Sequence, residues 1–369
     1  MGAQPPGPDR SRGAGALFPC PQCPPSALTR PAWYTLPGAP WRASEVPCLI
    51  DSPLPPEELL SAFRARAAWA VIPHVLPDVD ALATAGALCL VLRRIGKRAA
   101  VFAPELPEIH RWALAPEVLA SGEPAAGWSR VGVDTARPDR LQVAGPVDVN
   151  LDHHEDNPGF APVNWVCSVP ACTCLVATVA RALGVCADAT LATALYAGLV
   201  GDTEGFRVQA TPESFAWAGR FAAAGADTEG VAEAFHRRSP GFWAYLAAVE
   251  ASALTWEGTV PCHVVPIAAG LPERFALRPY ENALLPSHLV PPRGGVLAVL
   301  QGGRDNVRFR LRSRGVNVLP LAHALGGGGH PQAAGVVLRG VALDEALERL
   351  RAAWAEVAPR PADGGGSPA

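Results

Sequence analysis

Four short segments concentrate the carboxylates and histidines that could do chemistry. The first is His74-Val-Leu-Pro-Asp78-Val-Asp80, which offers three ligands within seven residues. The second is Asp134, behind the apolar run Val131-Gly-Val133. The third is Asp152-His153-His154, behind Val147-Asp-Val-Asn-Leu151. The fourth is Gly201-Asp202-Thr203-Glu204-Gly205, closing an otherwise apolar helix. Singly, each has a plainer reading, with Asp80 as a helix cap and Asp134 as a turn residue. Two histidines beside a carboxylate at the end of a buried strand resist that reading, because buried unpaired charge is costly unless a metal or an anion satisfies it. Asp202 near a helix C-terminus faces the unfavourable end of the dipole, an objection a bound cation removes. Together His74, Asp78, Asp80, Asp134, His153 and Asp202 supply the ligand set that two divalent cations need. Carboxylates with imidazole favour Mn²⁺ or Mg²⁺ over thiolate-preferring metals. Two such ions can clamp the attacking and leaving oxygens of a phosphoryl transfer.

The elements that must position these residues follow a strand-and-helix alternation. A helix over 57–68 precedes a short strand, Trp69 to Ile72, and the His74 loop follows it. An apolar helix from about Ala81 to Arg94 stops at Gly96. Further strands are Ala99 to Phe102, Val131 to Val133 and Val147 to Leu151. Short apolar strands separated by helices indicate a parallel sheet covered on both faces. In such sheets the ligand site lies at the C-terminal strand ends, where His74, Asp134 and Asp152 all fall. Helices are expected over 171–183, 189–199, 212–224 and 228–237, and 241–256 also reads as helical. A second unit begins near Thr259. In it Val296 to Leu300 is a strand, and Asn306 to Ser313 alternates Val307, Phe309 and Leu311 against Arg308, Arg310 and Arg312. A glycine-rich turn spans 326–330, and a helix from Leu343 to Glu356 closes the unit.

Bulk properties set the limits. The chain has 369 residues, 49% hydrophobic and 18% charged, enough for two or three domains. A net charge of -3 argues against a broad basic surface wrapping long nucleic acid, but leaves room for a small basic pocket. No apolar run is long enough for a membrane span and no secretory signal precedes the first domain, so a cytoplasmic protein without membrane association is expected. The nine cysteines then read as reduced. Cys89, Cys167, Cys172, Cys174 and Cys186 read as small core residues. Cys20 and Cys23 have zinc-like spacing with Cys48 downstream, but a closed structural site wants four ligands. Residues 1–50, rich in Pro and Gly, read as a disordered extension or as the product of a start codon assigned too far upstream.

In this order, His74-x3-Asp78-x-Asp80, Asp134, Asp152-His153-His154 and Asp202-Thr203 resemble the four motifs of DHH phosphoesterases. Gly326-Gly-Gly-Gly-His330-x2-Ala333-Ala334-Gly335 resembles the signature of the DHHA1 domain that often accompanies them. The similarity runs over about 55–357 and is nearest the oligoribonuclease (nanoRNase) and 3′-phosphoadenosine 5′-phosphate (pAp) phosphatase branch. The resemblance implies an α/β fold, a parallel-sheet DHH domain with helices on both faces and a smaller α/β DHHA1 domain across a cleft. The boundaries expected are 55–238 for the catalytic domain, 239–258 for a helical linker, 259–357 for the DHHA1 domain and 358–369 for a disordered tail. His74, Asp78, Asp134 and Asp202 would hold one ion, and Asp80, Asp134, His153 and Asp202 the other. Mn²⁺ is the foremost candidate, with Mg²⁺ or Co²⁺ as alternatives. His154 would face the phosphate, with Asp152 orienting the histidines from behind, so that His154, Asp134 and Asp202 form the catalytic set. Arg312, His330, Gly328 and Gly329 would hold substrate, while Arg308 and Arg310 read better as a solvated edge. The chain departs from the family at Pro73, Val79 and Ala83-Thr84, where Ser, Gly and Gly-Ser are usual, which bears on substrate fit beside the first loop. The implied activity is hydrolysis of short RNA to mononucleotides, of pAp to AMP, or both, and a homodimer is compatible with it. Alternatives sharing the motifs are a cyclic (c-di-AMP) or linear dinucleotide phosphodiesterase, a RecJ-like single-strand exonuclease, a pyrophosphatase of the same superfamily and an inactive nucleotide-binding module.

Overall fold

A computed structural model describes residues 54–278 and 281–357. The Pro/Gly-rich extension, the Cys20, Cys23 and Cys48 set and the 358–369 tail lie outside the described residues. The chain divides into two compact units that meet in sequence between Arg237 and Arg238.

The first unit opens with α1 (Glu57–Ala65), then β1 (Ala68–Ile72), α2 (Val79–Arg94), β2 (Arg98–Phe102), β3 (Leu119–Ala120), β4 (Ser129–Val133), β5 (Val149–Asp152) and β6 (Val163–Val166). The helices α3 (Cys172–Ala182), α4 (Ala189–Asp202), α5 (Pro212–Ala223) and α6 (Thr228–His236) follow. All six strands are parallel in the order β3-β2-β1-β4-β5-β6. The order reverses between β1 and β4, which makes their C-terminal ends the switch point where doubly wound sheets bind ligands. β1 is buried at every position, as a central strand covered on both sides must be. Alternation then divides its side chains. Trp69 and Val71 join a large core with α1 to α6, while Ala70 and Ile72 join a smaller patch with Leu141, Val143 and Val147.

Several boundaries differ from the sequence expectation, among them those of α1, which ends at Ala65, of α4, which runs on to Asp202, and the two that follow. Asp78, rather than Asp80, is the N-cap of α2, accepting from the Ala81 amide at 3.0 Å. This leaves Asp80 inside the first turn and free for other work. The helix read over 241–256 ends early: α7 (Pro240–Ala251) stops at Ser252, whose hydroxyl donates to Val249 O at 2.8 Å, and Leu254–Trp256 becomes β7. Thr255 and Trp256 are residues that suit a pleated surface.

The second unit continues with β8 (Cys262–Ile267), α8 (Leu285–His288), β9 (Val296–Gly302), β10 (Asn306–Ser313), α9 (Leu319–Ala324), β11 (Gly328–His330), β12 (Ala333–Arg339) and α10 (Leu343–Val357). Its sheet runs β11-β12-β10-β9-β8-β7, antiparallel except for the β8–β9 pair. One face packs Val307, Phe309 and Leu311 against α9 and α10. The other packs Leu297 and Val299 against Tyr245, Leu285 and Leu289. Among the described residues, no helix is long and apolar enough to cross a membrane.

Candidate metal centre

The chain leaves β1 at Pro73 and passes through a loop that the neighbouring segment holds in place. Val75 N–H donates to Arg140 O at 2.6 Å, and Gln142 N–H donates to Pro73 O at 3.1 Å. β4 releases Asp134 and β5 ends on Asp152, so β1, β4 and β5, adjacent in the sheet, deliver their polar residues to one edge. Asp134 holds φ at 55° with its amide tied to Leu151 O at 2.9 Å. Leu76, Glu204, Phe206 and Gln209 also have positive φ. Leu76 lies within the first motif, Glu204 within the fourth, and Phe206 and Gln209 just beyond it, and backbone strain of this kind persists only where surrounding structure imposes it.

Two histidines are fixed in the same way. His74 Nδ1 lies 2.8 Å from Val75 O, and His153 Nδ1 lies 3.0 Å from Val169 O. A carbonyl can only accept, so each Nδ1 carries a proton and each Nε2 is left as the ligand atom. His74 Nε2 lies 3.9 Å from both Asp78 Oδ2 and Asp134 Oδ2. His153 Nε2 lies 3.3 Å from Asp134 Oδ1 and 3.4 Å from Asp202 Oδ2. Those two carboxylate oxygens are buried and accept no hydrogen bond. Lone pairs facing each other at such distances are what a cation joins, and the donor set fits one.

Electrostatics point the same way. Burial, followed by the charges of Asp134 and Asp202, pushes the Asp80 carboxyl well above its ordinary range. Burial also lifts Asp202 to about 7, although His153 opposes it. Burial alone would lower His153, but the carboxylates of Asp134, Asp80 and Asp202 override it and raise the ring to about 11. The carboxylate cluster thus favours positive charge at its centre, which a divalent ion would supply while leaving His153 Nε2 unprotonated as a ligand.

Asp80 is pinned by α3. Its Oδ2 accepts from Cys172 N at 2.6 Å, and its Oδ1 accepts from Thr173 N at 3.3 Å and Thr84 Oγ1 at 3.2 Å. Amides at a helix N-terminus suit a carboxylate. The approach of α4 depends on two glycines. A Cβ at Gly198 would collide with Asp80 Oδ1 and Thr173, and one at Gly201 would lie 2.7 Å from Val79 Cβ. Val79, the departure from the family's usual glycine, therefore packs against Gly201. Gly198, Thr173 and the Cys172 amide belong to no motif, although two glycines three apart in an apolar helix signal a close helix contact.

His154 serves differently. Its Nδ1 lies 2.7 Å from Asp152 Oδ1, and Asn157 Nδ2 donates to Asp152 Oδ2 at 2.7 Å and to Asn150 Oδ1 at 2.7 Å. Burial would raise Asp152, but the hydrogen bonds from His154 and Asn157 outweigh it and lower the group. The Asp152 hydrogen bond in turn raises His154, against burial. His154 is half exposed, with its Nδ1 committed and its Nε2 available. Asn157, which also belongs to no motif, locks this pair.

The structure thus brings His74, Asp78 and Asp134 together, Asp80, His153 and Asp202 together, and Asp134 with His153 and His154. Arg312, Gly328, Gly329 and His330 belong to the second unit. Arg312 stands exposed on β10 and donates to Leu311 O at 3.1 Å. Gly329 has φ of 142°, and a Cβ there would meet Ala333 O at 2.6 Å, so the β11–β12 pairing demands glycine. A Cβ on Gly328 would meet nothing within 4 Å. The His330 side chain lies outside the described part of the structure.

The DHHA1 domain family matches residues 293–356. The bifunctional oligoribonuclease and PAP phosphatase NrnA of Thermus thermophilus is 30% identical over 290 residues, covering 75% of this chain and 86% of the relative. An exopolyphosphatase-related protein from Bacteroides fragilis shares the fold with a TM-score of 0.68 at 15% identity, covering 83% of this chain and 98% of that one. Enzymes of this kind are divalent-metal-dependent hydrolases of phosphoric esters. With its motifs in order and this degree of identity, the chain belongs to the DHH/DHHA1 family of phosphoesterases.

Proposed function

We propose that this chain is a two-metal phosphoesterase that degrades short oligoribonucleotides to mononucleotides and converts pAp to AMP. The observation that carries the reading is the pair of buried, hydrogen-bond-free oxygens, Asp134 Oδ1 and Asp202 Oδ2, flanking His153 Nε2. The activity printed for the Thermus thermophilus relative supports the choice of substrate. His74, Asp78, Asp134 and Asp202 would hold one ion and Asp80, Asp134, His153 and Asp202 the other, with Asp134 and Asp202 shared; two of the three carboxylate–histidine groups, His74-Asp78-Asp134 and Asp80-His153-Asp202, support that division. Mn²⁺ suits this oxygen and imidazole set, with Mg²⁺ or Co²⁺ as substitutes. When bound, the ions supply Lewis acidity to the phosphoryl oxygens and lower the pKa of water.

The remaining work falls to the chain's own groups. Carbonyl contacts at Val75 and Val169 fix the tautomers of His74 and His153, so neither ring must reorganise. His154, held protonated at Nδ1 by Asp152, presents Nε2 to a phosphate oxygen. Arg312 and His330 grip the nucleotide, and Gly328 leaves its backbone open to close approach. Purified protein supplied with Mn²⁺ should turn over a dinucleotide and pAp in a panel that also contains longer RNA, single-stranded DNA and cyclic di-AMP. The Asp134→Ala variant should lose several orders of magnitude in rate. Preference for cyclic di-AMP, or an unchanged rate in the variant, would overturn the proposal.

A further inference from the structure

Arg308 is exposed, as expected of a solvated edge, but Arg310 beside it is not. Arg308, Arg310 and Arg312 occupy alternate positions of β10, on the face opposite the buried Val307, Phe309 and Leu311. Beside them on β12 stand Val337, Gly335 and Ala333, in that pairing order. A Cβ added to Gly335 would meet only Phe309 O, at 3.7 Å, so the space next to Arg310 is open. A glycine inside a strand marks a place where another group approaches closely. Arg310 is half-buried rather than solvated. Burial lowers it, and Arg312 and Arg308 lower it further, with Tyr245 opposing and, among the described residues, no carboxylate contributing. A desolvated guanidinium between two like charges needs an anion to balance it.

The geometry points to one. Alternate strand residues lie about 6.8 Å apart, a step close to that of successive phosphates along an extended single strand. We propose that Arg310 and Arg308 extend the Arg312 contact into a row that binds successive phosphates of a single-stranded oligoribonucleotide. The proposal rests on the oligoribonuclease reading above and deepens it, since it makes β10 a gauge of substrate length. A dinucleotide or pAp offers too few phosphates to fill the row, whereas a tetranucleotide can engage all of it.

The test compares wild type with Arg310→Ala, Arg308→Ala and Arg310→Lys. Turnover of pAp, a dinucleotide and a tetranucleotide is measured with Mn²⁺, and binding of a labelled tetranucleotide is measured in EDTA across a salt series. Arg310→Ala should raise KM for the tetranucleotide about tenfold more than KM for pAp. It should also flatten the logarithmic salt dependence of binding by about 0.7. Arg310→Lys should keep the salt dependence, and Arg308→Ala should act on the tetranucleotide alone to a smaller extent. An equal effect on every substrate would mean a structural role and overturn the row. So would unchanged tetranucleotide binding in a variant whose wild type turns over dinucleotides, and the proposed function would then survive. Arginine-dependent tetranucleotide binding in a protein that hydrolyses no RNA would keep the row and sink the function.

Discussion

At the scale of single residues, Asp134 shows how far the site departs from what stability alone would select. It is buried, its charge opposes the ionisation of Asp80 and Asp202 by raising their pKa values, and it stands at a φ of 55°. Asparagine tolerates that backbone conformation and removes the negative charge without changing the side chain's size. The Asp134→Asn variant, stripped of metal, is therefore expected to melt at or above the temperature of metal-free wild type. Mn²⁺ should raise the wild-type melting temperature, by an increment worth about 2.7 kcal/mol at a hundredfold excess over Kd, and should barely move the variant. Thermal melting in EDTA and in Mn²⁺ reads both effects. A metal-free variant that melts well below wild type would show that Asp134 supports the fold rather than the ion. Asp134 also marks where the sequence was least informative, because a lone aspartate after a strand looks like any turn residue. Asp152-His153-His154 was conspicuous in the sequence, yet what separates the work of its two histidines is Val169 O on one ring and Asp152 on the other. Neither contact is local enough for a motif to encode.

At the scale of elements, the apolar runs behind the motifs were legible because a central parallel strand is buried on both faces and leaves an unbroken signature, as β1 does. β3 and β6 carry no such mark, being edge strands that are short or mixed in polarity, and β12 is an apolar run in which only Ala334 and Val336 are buried, so no alternation announces its inward face. The crossing of α2 and α4 leaves only the Gly198 and Gly201 spacing as its mark in the sequence, and it sets the position of Asp202. Gly198→Ala drives a methyl into Asp80 and Thr173. Overpacking of this kind costs about 1–3 kcal/mol, and the displaced carboxylates should lose about a hundredfold or more in rate. Gly219→Ala in α5, where an added Cβ meets nothing, should leave rate and stability near wild type or gain about 0.5–1 kcal/mol. Equal behaviour of the two variants in turnover and melting would remove the glycine argument. A second element depends on a single acid. Glu281 is fully buried, accepts from Ser239 N at 2.7 Å and from the Ser239 hydroxyl at 2.6 Å, and pairs with Arg278 at 3.0 Å. It thereby fixes the N-cap of α7. Burial would raise its pKa, but these hydrogen bonds outweigh burial and lower it to about 2. Its contribution is therefore full above the ordinary carboxylate pKa of about 4.5 and is lost as pH falls toward 2. Glu281→Gln should cost about 1.5–3 kcal/mol at pH 7, and denaturant titrations should show the gap closing below pH 4. A gap that persisted at pH 2 would contradict this account.

At the scale of the whole molecule, the labour is divided between cores that do not share residues. The metal-site motifs hang from a parallel sheet whose core contains α1 to α6, and the arginine row and glycine turn hang from a separate mixed sheet. Ligand binding should therefore leave two distinct footprints in hydrogen exchange. Mn²⁺ alone should slow exchange around residues 74–80, 134, 152–154, 172–173 and 201–203, because it joins groups that otherwise repel across those segments. The amides of Cys172 and Thr173 are the sharpest reporters, since they hold Asp80, which an ion at the centre would keep in its charged, hydrogen-bonded form. A short oligoribonucleotide added in EDTA should leave those amides unchanged and slow exchange instead in β10, β11 and β12. The physical reason is that phosphates bound by guanidinium groups and open backbone need no metal, whereas bond cleavage does. Metal-dependent protection in β10 to β12, or oligonucleotide protection confined to the first unit in EDTA, would break this separation. The arginines of β10 would then have to be read as solvated surface after all.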